Sequence, residues 1–154
     1  MLLKKLVILG IIAALAQSVS SLAEEFDYES ITAEQLNREA PLTQEDVDIL
    51  VKFYHLTVVA VNTVRRNPAT TVKELDDLVA EFVEANKITP IRLRYIAIKI
   101  QAVMVGLDDS NQMPKEGLNP PFMVPGSSEL NLIKQNRTKL AAALALAKAL
   151  NEDS

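Results

Sequence analysis

Residues 89–106 read TPIRLRYIAIKIQAVMVG, a run in which basic side chains interrupt an otherwise apolar segment. At about 100° per residue, two opposite faces are apolar. They hold Ile91, Tyr95, Ile98, Ala102 and Val105 on one side, and Leu93, Ile96, Ile100, Met104 and Leu107 on the other. Arg92 with Lys99, and Arg94 with Gln101, lie in two narrow polar seams between these faces. A strand would have to switch faces in mid-run without a bulge signal.

The pattern therefore predicts a helix over 89–107 that is packed on two sides, at the centre of an all-α domain. This architecture requires both Ile98 and Ile100 to be buried. Three further helices are expected over 44–66, 72–86 and 129–150, which gives a small four-helix bundle-like domain. Helix starts are marked by a threonine with an acid or amide three residues later: Thr32 with Gln35, Thr43 with Asp46, and Thr71 with Glu74. Thr89 precedes Pro90, a favoured first helical residue.

The N-terminal segment has the pattern of an export signal. Lys4 and Lys5 precede an apolar core from Leu6 to Ala16, and small residues lead to a cleavage site after Ala23. An uncleaved signal or anchor helix over residues 6–22 is the alternative, although a membrane span needs about 20 apolar residues. The resulting division is an export signal peptide at 1–23, an acidic mobile lead-in at 24–42, and a single helical domain at 43–154.

Composition excludes several classes of function. The chain of 154 residues has 16 basic and 20 acidic residues, and cleavage after Ala23 would remove only two lysines. Such an acidic protein lacks the electrostatic footprint that nucleic acid requires. No segment after the signal is judged apolar enough to span a membrane, so membrane contact is expected only through an uncleaved signal. The chain has no cysteine and one histidine, so no cofactor and no soft metal site are expected.

A proline-rich loop at 108–128 separates the third and fourth helices and is the strongest candidate for a binding segment. Its stretch NPPFMVPG could present Phe122, Met123 and Val124 to a partner. The simpler interpretation is a cap whose apolar side chains close the end of the core.

An acidic stripe on the second helix is the other candidate partner-binding surface. It comprises Glu74, Asp77, Glu81 and Glu84. Four carboxylates on one exposed face repel each other and do not converge as a catalytic pair must. A solvated face is the simpler interpretation, and docking of a basic partner or internal pairing with Arg92, Lys99 or the basic cluster Lys134, Arg137 and Lys139 is the alternative.

His55 is expected to be an ordinary surface histidine, because no spaced partner accompanies it. Asp108, Asp109 and Asn111 fail the glycine and closing-glutamate pattern of a calcium loop.

The sequence thus predicts an exported, non-enzymatic protein of the cell envelope with a binding or structural role, whose partner would be another envelope protein. A carrier with an apolar cavity between helices, and a hydrolase using His55, are the alternatives. The oligomeric state stays open.

Overall fold

Residues 31–152 are described by the structure, which is a computed structural model. The predicted signal peptide and residues 24–30 of the lead-in lie outside them. Within the described range the chain is all-α, without a strand. The helices are α1 Ala33–Asn37, α2 Gln44–Arg66, α3 Val72–Ala85, α4 Pro90–Asp108, α5 Ser127–Gln135 and α6 Arg137–Glu152.

The helix starts follow the threonine signals. Thr32, Thr43 and Thr71 each accept a hydrogen bond from the main-chain N–H three residues on, and the side chain at that position accepts one from the threonine N–H. Thr89 caps α4 without the return bond: its hydroxyl accepts the Arg92 N–H at 3.1 Å, and Pro90 is the first helical residue. These caps satisfy N–H groups that a helix start otherwise leaves without partners, so the helix starts are confirmed.

The central helix α4 packs against α1, α2, α5 and two short 3-10 turns, Ser110–Gln112 and Pro121–Met123. One of its two predicted apolar faces is deeply buried, and it includes Leu93, Ile96 and Ile100, each at most 1% exposed. The other face is closer to solvent, since Ile98 is half-buried and Val105 is 48% exposed. The requirement that both isoleucines be buried therefore holds for Ile100 alone.

Helices α2 and α6 run side by side in the same direction, since Gln44 contacts Asn136 and Asp48 contacts Lys139 near their N-terminal ends. The main core cluster lies between α2, α4 and α6 and includes Leu50, Ile96 and Leu140. A second, smaller cluster joins α2 to α3 and to the start of α4.

The predicted single helix over 129–150 is interrupted at Asn136, which corrects that expectation. The Asn136 side-chain amide donates to the Leu132 carbonyl (2.8 Å) and exchanges two hydrogen bonds with the Gln44 side chain. The Asn136 N–H is shared between the Leu132 and Ile133 carbonyls, and Asn136 has φ −101° and ψ 8°, so the helical geometry is distorted at this residue. The chain consequently ends α5 at Gln135 and begins α6 at Arg137.

One segment after the predicted signal is long and apolar enough to cross a membrane, which corrects the expectation that none would be. Among the described residues this is α2, Gln44–Arg66, and 56% of its most apolar stretch is buried inside the fold. A long core helix meets the same criteria of length and hydropathy, because its apolar side faces other helices.

Candidate functional site

Three polar side chains of α4 form one edge of the helix, which we call the polar seam: Arg92, Tyr95 and Lys99. Their spacing of three and four residues places them on one line along the helix. The Tyr95 ring lies between the two cations, with the Arg92 guanidinium carbon 5.1 Å and the Lys99 Nζ 5.0 Å from its centroid. Tyr95 and Lys99 are 3% and 4% exposed, so the polar seam is an interior feature.

The Arg92 guanidinium has a partner for each of its N–H groups. Nε and Nη2 donate to the two carboxylate oxygens of Asp46, Nη2 also donates to the Pro41 carbonyl, and Nη1 donates to the Ala40 carbonyl and the Glu39 carboxylate. Burial alone would lower the pKa of Arg92, but the bonds to Asp46 and Glu39 outweigh it and raise that pKa above its ordinary value. Arg92 thus ties the start of α2 and residues 39–41 to the central helix.

The Glu129 carboxylate is the second buried centre, and it accepts four hydrogen bonds. The donors are Lys99 Nζ (2.7 Å), the Leu42 N–H (2.9 Å), the Gly126 N–H (3.0 Å) and the Tyr95 hydroxyl (3.3 Å). Burial alone would raise the pKa of Glu129, but the bonds from Lys99 and the two main-chain N–H groups outweigh it and hold that pKa below its ordinary value. One carboxylate therefore joins residue 42, α4 and the end of the proline-rich loop.

The Tyr95 hydroxyl accepts from Lys99 Nζ at 2.9 Å and donates to Glu129. Burial raises the pKa of Tyr95, and the Lys99 bond offsets that effect in part. The phenol consequently keeps its proton at neutral pH. Since buried polar networks are stable only when every member is satisfied, this arrangement is suited to holding segments together.

The segment that these groups hold is residues 31–42, which we call the strap. Its apolar side chains Ile31, Leu36 and Leu42 join the main core cluster. A third polar anchor is the Asn37 side chain, which accepts the Phe122 N–H at 2.8 Å. The part of the predicted mobile lead-in that the structure describes is therefore packed onto α4, with Leu36 3% and Leu42 7% exposed.

The three predicted binding residues of the proline-rich loop, Phe122, Met123 and Val124, are all half-buried. Phe122 packs against the main core cluster, and the 3-10 turn at 121–123 contacts both α1 and α4. This placement matches the cap interpretation. The exposed apolar side chain of the loop is instead Leu118, at 80%.

The acidic stripe does not pair with the basic groups named for it. The Glu74 carboxylate accepts the Thr71 N–H in a helix cap, and Asp77 pairs with Lys73 one turn earlier at 2.9 Å. Glu81 and Glu84 are exposed. The basic groups pair elsewhere: Arg92 with Asp46, Lys99 with Glu129, Lys139 with Asp48, and Arg137 with Asp108.

His55 is exposed on α2, as expected, and its side chain makes no hydrogen bond or ion pair with another described residue. Asp109 caps the turn at 110–112 by accepting the Asn111 N–H at 3.0 Å. Across residues 31–152, no group of three or more histidine, aspartate or glutamate side chains is arranged to hold a metal ion.

The sequence identified Asp46 as part of a helix cap but not as the partner of Arg92. Glu129 was not identified as a site residue at all. Both are the third residue of a helix, where an acid commonly caps the start. That signal accounts for the bonds to the Thr43 and Gly126 N–H groups. It gives no indication of the bonds to Arg92 and Lys99, which come from distant parts of the chain.

Comparison of the chain with protein-family models, curated proteins and solved structures finds no match.

Proposed function

We propose that this chain is an exported helical protein of the cell envelope with a non-enzymatic role in binding or structure. The observation that carries the proposal is the use of the buried charged groups. Arg92 pairs with Asp46 and Lys99 pairs with Glu129, and both Arg92 and Glu129 also bond to main-chain atoms of residues 40–42. Catalytic groups, in contrast, face a cleft where a substrate can reach them.

The surroundings of the titratable groups support the same proposal. A catalytic acid or base needs a pKa near the working pH. In the polar seam and at Glu129 the shifts go the other way: the pKa of Glu129 is lowered and the pKa values of Arg92 and Tyr95 are raised. Each shift keeps the group in the protonation state that its bonds require. The export pattern of residues 1–23 supports the location.

The test is fractionation of expressing cells, with mass spectrometry of the purified chain. The expected result is a chain that begins at Glu24 and is recovered from the envelope or the exterior. An intact Met1 in the cytosolic fraction would contradict export, and an intact chain in the membrane fraction would replace the signal peptide with an anchor. For the non-enzymatic role, His55→Ala should leave stability and binding unchanged, with Lys52→Ala, an exposed change on the same helix, as the matched control.

A further inference from the structure

The strap meets α4 as a peptide meets a binding groove. Its apolar side chains Leu36 and Leu42 are inserted into the main core cluster. Its polar contacts are made largely through main-chain atoms, in a stretch that forms no helix after Asn37. Peptide-binding sites combine these two features, since main-chain bonds give affinity and pockets for side chains give selectivity.

The main-chain contacts of the strap pair defined carbonyl acceptors and a defined N–H donor with side chains of the groove. Arg92 donates to the carbonyl oxygens of Ala40 and Pro41, and Glu129 accepts the N–H of Leu42 at 2.9 Å. Residues 40–42 belong to no helix or strand, so their main-chain atoms are available for these contacts. Selectivity then comes from the pocket for Leu42 and from Glu39, whose carboxylate lies 3.4 Å from Arg92 Nη1.

The two shortest ion pairs of the groove involve no residue of the strap. Arg92 retains both oxygens of Asp46, and Glu129 retains Lys99 together with the Gly126 N–H. Removing one partner of a buried ion pair is strongly destabilising, but here the pairs lie within the walls of the groove. Departure of the strap would therefore leave both of these pairs made, while Arg92 would lose its contacts with Glu39, Ala40 and Pro41.

The position of the strap in the chain permits that movement. It precedes Thr43, the cap of α2, and the polar contacts that join α2 to α6, Gln44 with Asn136 and Asp48 with Lys139, involve no residue of the strap. Segments at the edge of a fold open at free energies below that of global unfolding.

We propose that the groove formed by Arg92, Tyr95, Lys99, Glu129 and Phe122 is a binding site for a peptide segment that carries an acidic residue three positions before a leucine. The strap is the intramolecular occupant of this site, and its Glu39 and Leu42 supply the pattern. This inference rests on the proposed binding role and names the class of partner. It is independent of where the protein is located.

The experiment uses the full chain with Leu36→Asp and Leu42→Asp, which expel the strap by placing charges in apolar pockets. The probe is a fluorescent synthetic peptide of residues 31–42, followed by anisotropy. It should bind the double variant at least tenfold more tightly than the wild type, because the tethered strap competes at a high effective concentration. A peptide with both leucines replaced by aspartate should not bind. A peptide N-methylated at Leu42 should bind at least tenfold more weakly, because Glu129 loses its main-chain donor.

Folding of the double variant is checked by far-UV circular dichroism. If it unfolds, amide exchange in the wild type decides: the Leu42 and Phe122 amides should exchange through an opening that leaves Ile96 and Ile100 protected.

Equal binding of the aspartate or N-methyl peptide, or exchange of the Leu42 amide only with the α4 core, would overturn the proposal. A wild-type dimer that the double variant loses would assign the groove to the strap of a second copy, and would overturn a separate peptide partner. Cytosolic localisation, by contrast, would contradict export without touching this result.

Discussion

The buried pair of Lys99 and Glu129 should respond unequally to the loss of either partner. Glu129 accepts four hydrogen bonds, two of them from the main chain at Leu42 and Gly126. Lys99 Nζ donates to two acceptors, Glu129 at 2.7 Å and the Tyr95 hydroxyl at 2.9 Å. Their side chains are 5% and 6% exposed, so water does not replace a lost partner.

The expected losses of unfolding free energy follow from the partners that each variant leaves behind. Glu129→Gln leaves the buried ammonium group with neutral acceptors only, the Tyr95 hydroxyl and the new amide oxygen, and breaking a buried ion pair in this way costs about 3–5 kcal/mol of the free energy of unfolding. Lys99→Met leaves the carboxylate with two main-chain N–H groups and the Tyr95 hydroxyl, and hydrogen bonds to charged groups contribute about 1.5–3 kcal/mol each. We therefore expect Lys99→Met to cost about 1–3 kcal/mol, the lower end of the effects that buried charges produce.

Urea unfolding followed by circular dichroism at pH 7 measures both variants and the double variant Lys99→Met/Glu129→Gln. The double variant should lose less than the sum of the two single losses, because no cation is left unpaired. A loss for Lys99→Met that equals or exceeds the loss for Glu129→Gln would refute the reasoning. Additivity of the two losses would refute it as well.

The pair of Lys99 and Glu129 should also make the free energy of unfolding depend on pH. The pKa of Glu129 is lower in the folded protein than its ordinary value of 4.5, with burial opposing the shift and the Lys99 bond as the largest cause in its favour. Its stabilising contribution is therefore complete above pH 4.5 and is lost as the pH falls through the lower folded pKa. Lys99→Met removes that cause, so the loss of stability on acidification should become smaller. Unfolding free energies between pH 3 and pH 7 test this, and an unchanged acid limb would count against it.

Three further changes test the backbone and the polar seam. Lys87 has φ +53°, so Lys87→Gly should raise the free energy of unfolding by up to about 1 kcal/mol. In Gly106→Ala the new Cβ would lie 2.6 Å from the Met113 Cα, so the variant should lose about 1–3 kcal/mol, against at most about 0.5 kcal/mol for the exposed neighbour change Val105→Ala. Arg92→Lys cannot form the two-atom contact with its carboxylate and should lose about 2–3 kcal/mol. Urea midpoints measure all three, and a change of opposite sign would contradict each reason.

The local parts of the fold could be predicted from the sequence. A threonine cap and its partner lie three residues apart, so both are visible in a short window, and the structure has the caps at Thr32, Thr43 and Thr71. The helical identity of the segment at 89–107 followed from its angular pattern for the same reason. The break at Asn136 was missed because its cause is shared with Gln44, 92 residues away.

The candidate site could be predicted only in part. The spacing of Arg92 and Lys99 showed that the two cations share one edge of a helix. It did not identify their acids, since Asp46 lies 46 residues before Arg92 and Glu129 lies 30 residues after Lys99. Pairing over such distances depends on how the helices pack, and one sequence carries no record of that.

The polar seam determines the rotation of α4 about its axis, which the apolar pattern of the helix alone does not. A helix with apolar residues on two opposite sides can be buried in more than one rotation about its axis, and the hydrophobic effect alone distinguishes these rotations weakly because it has no direction. Arg92, Tyr95 and Lys99 are satisfied together in the rotation that brings them against Asp46 and Glu129, whereas any other rotation would bury their polar groups without partners. The charges therefore select the orientation of the central helix. That same orientation turns the guanidinium and carboxylate groups toward the main chain of residues 40–42, so the feature that specifies the fold also forms the groove that the strap occupies.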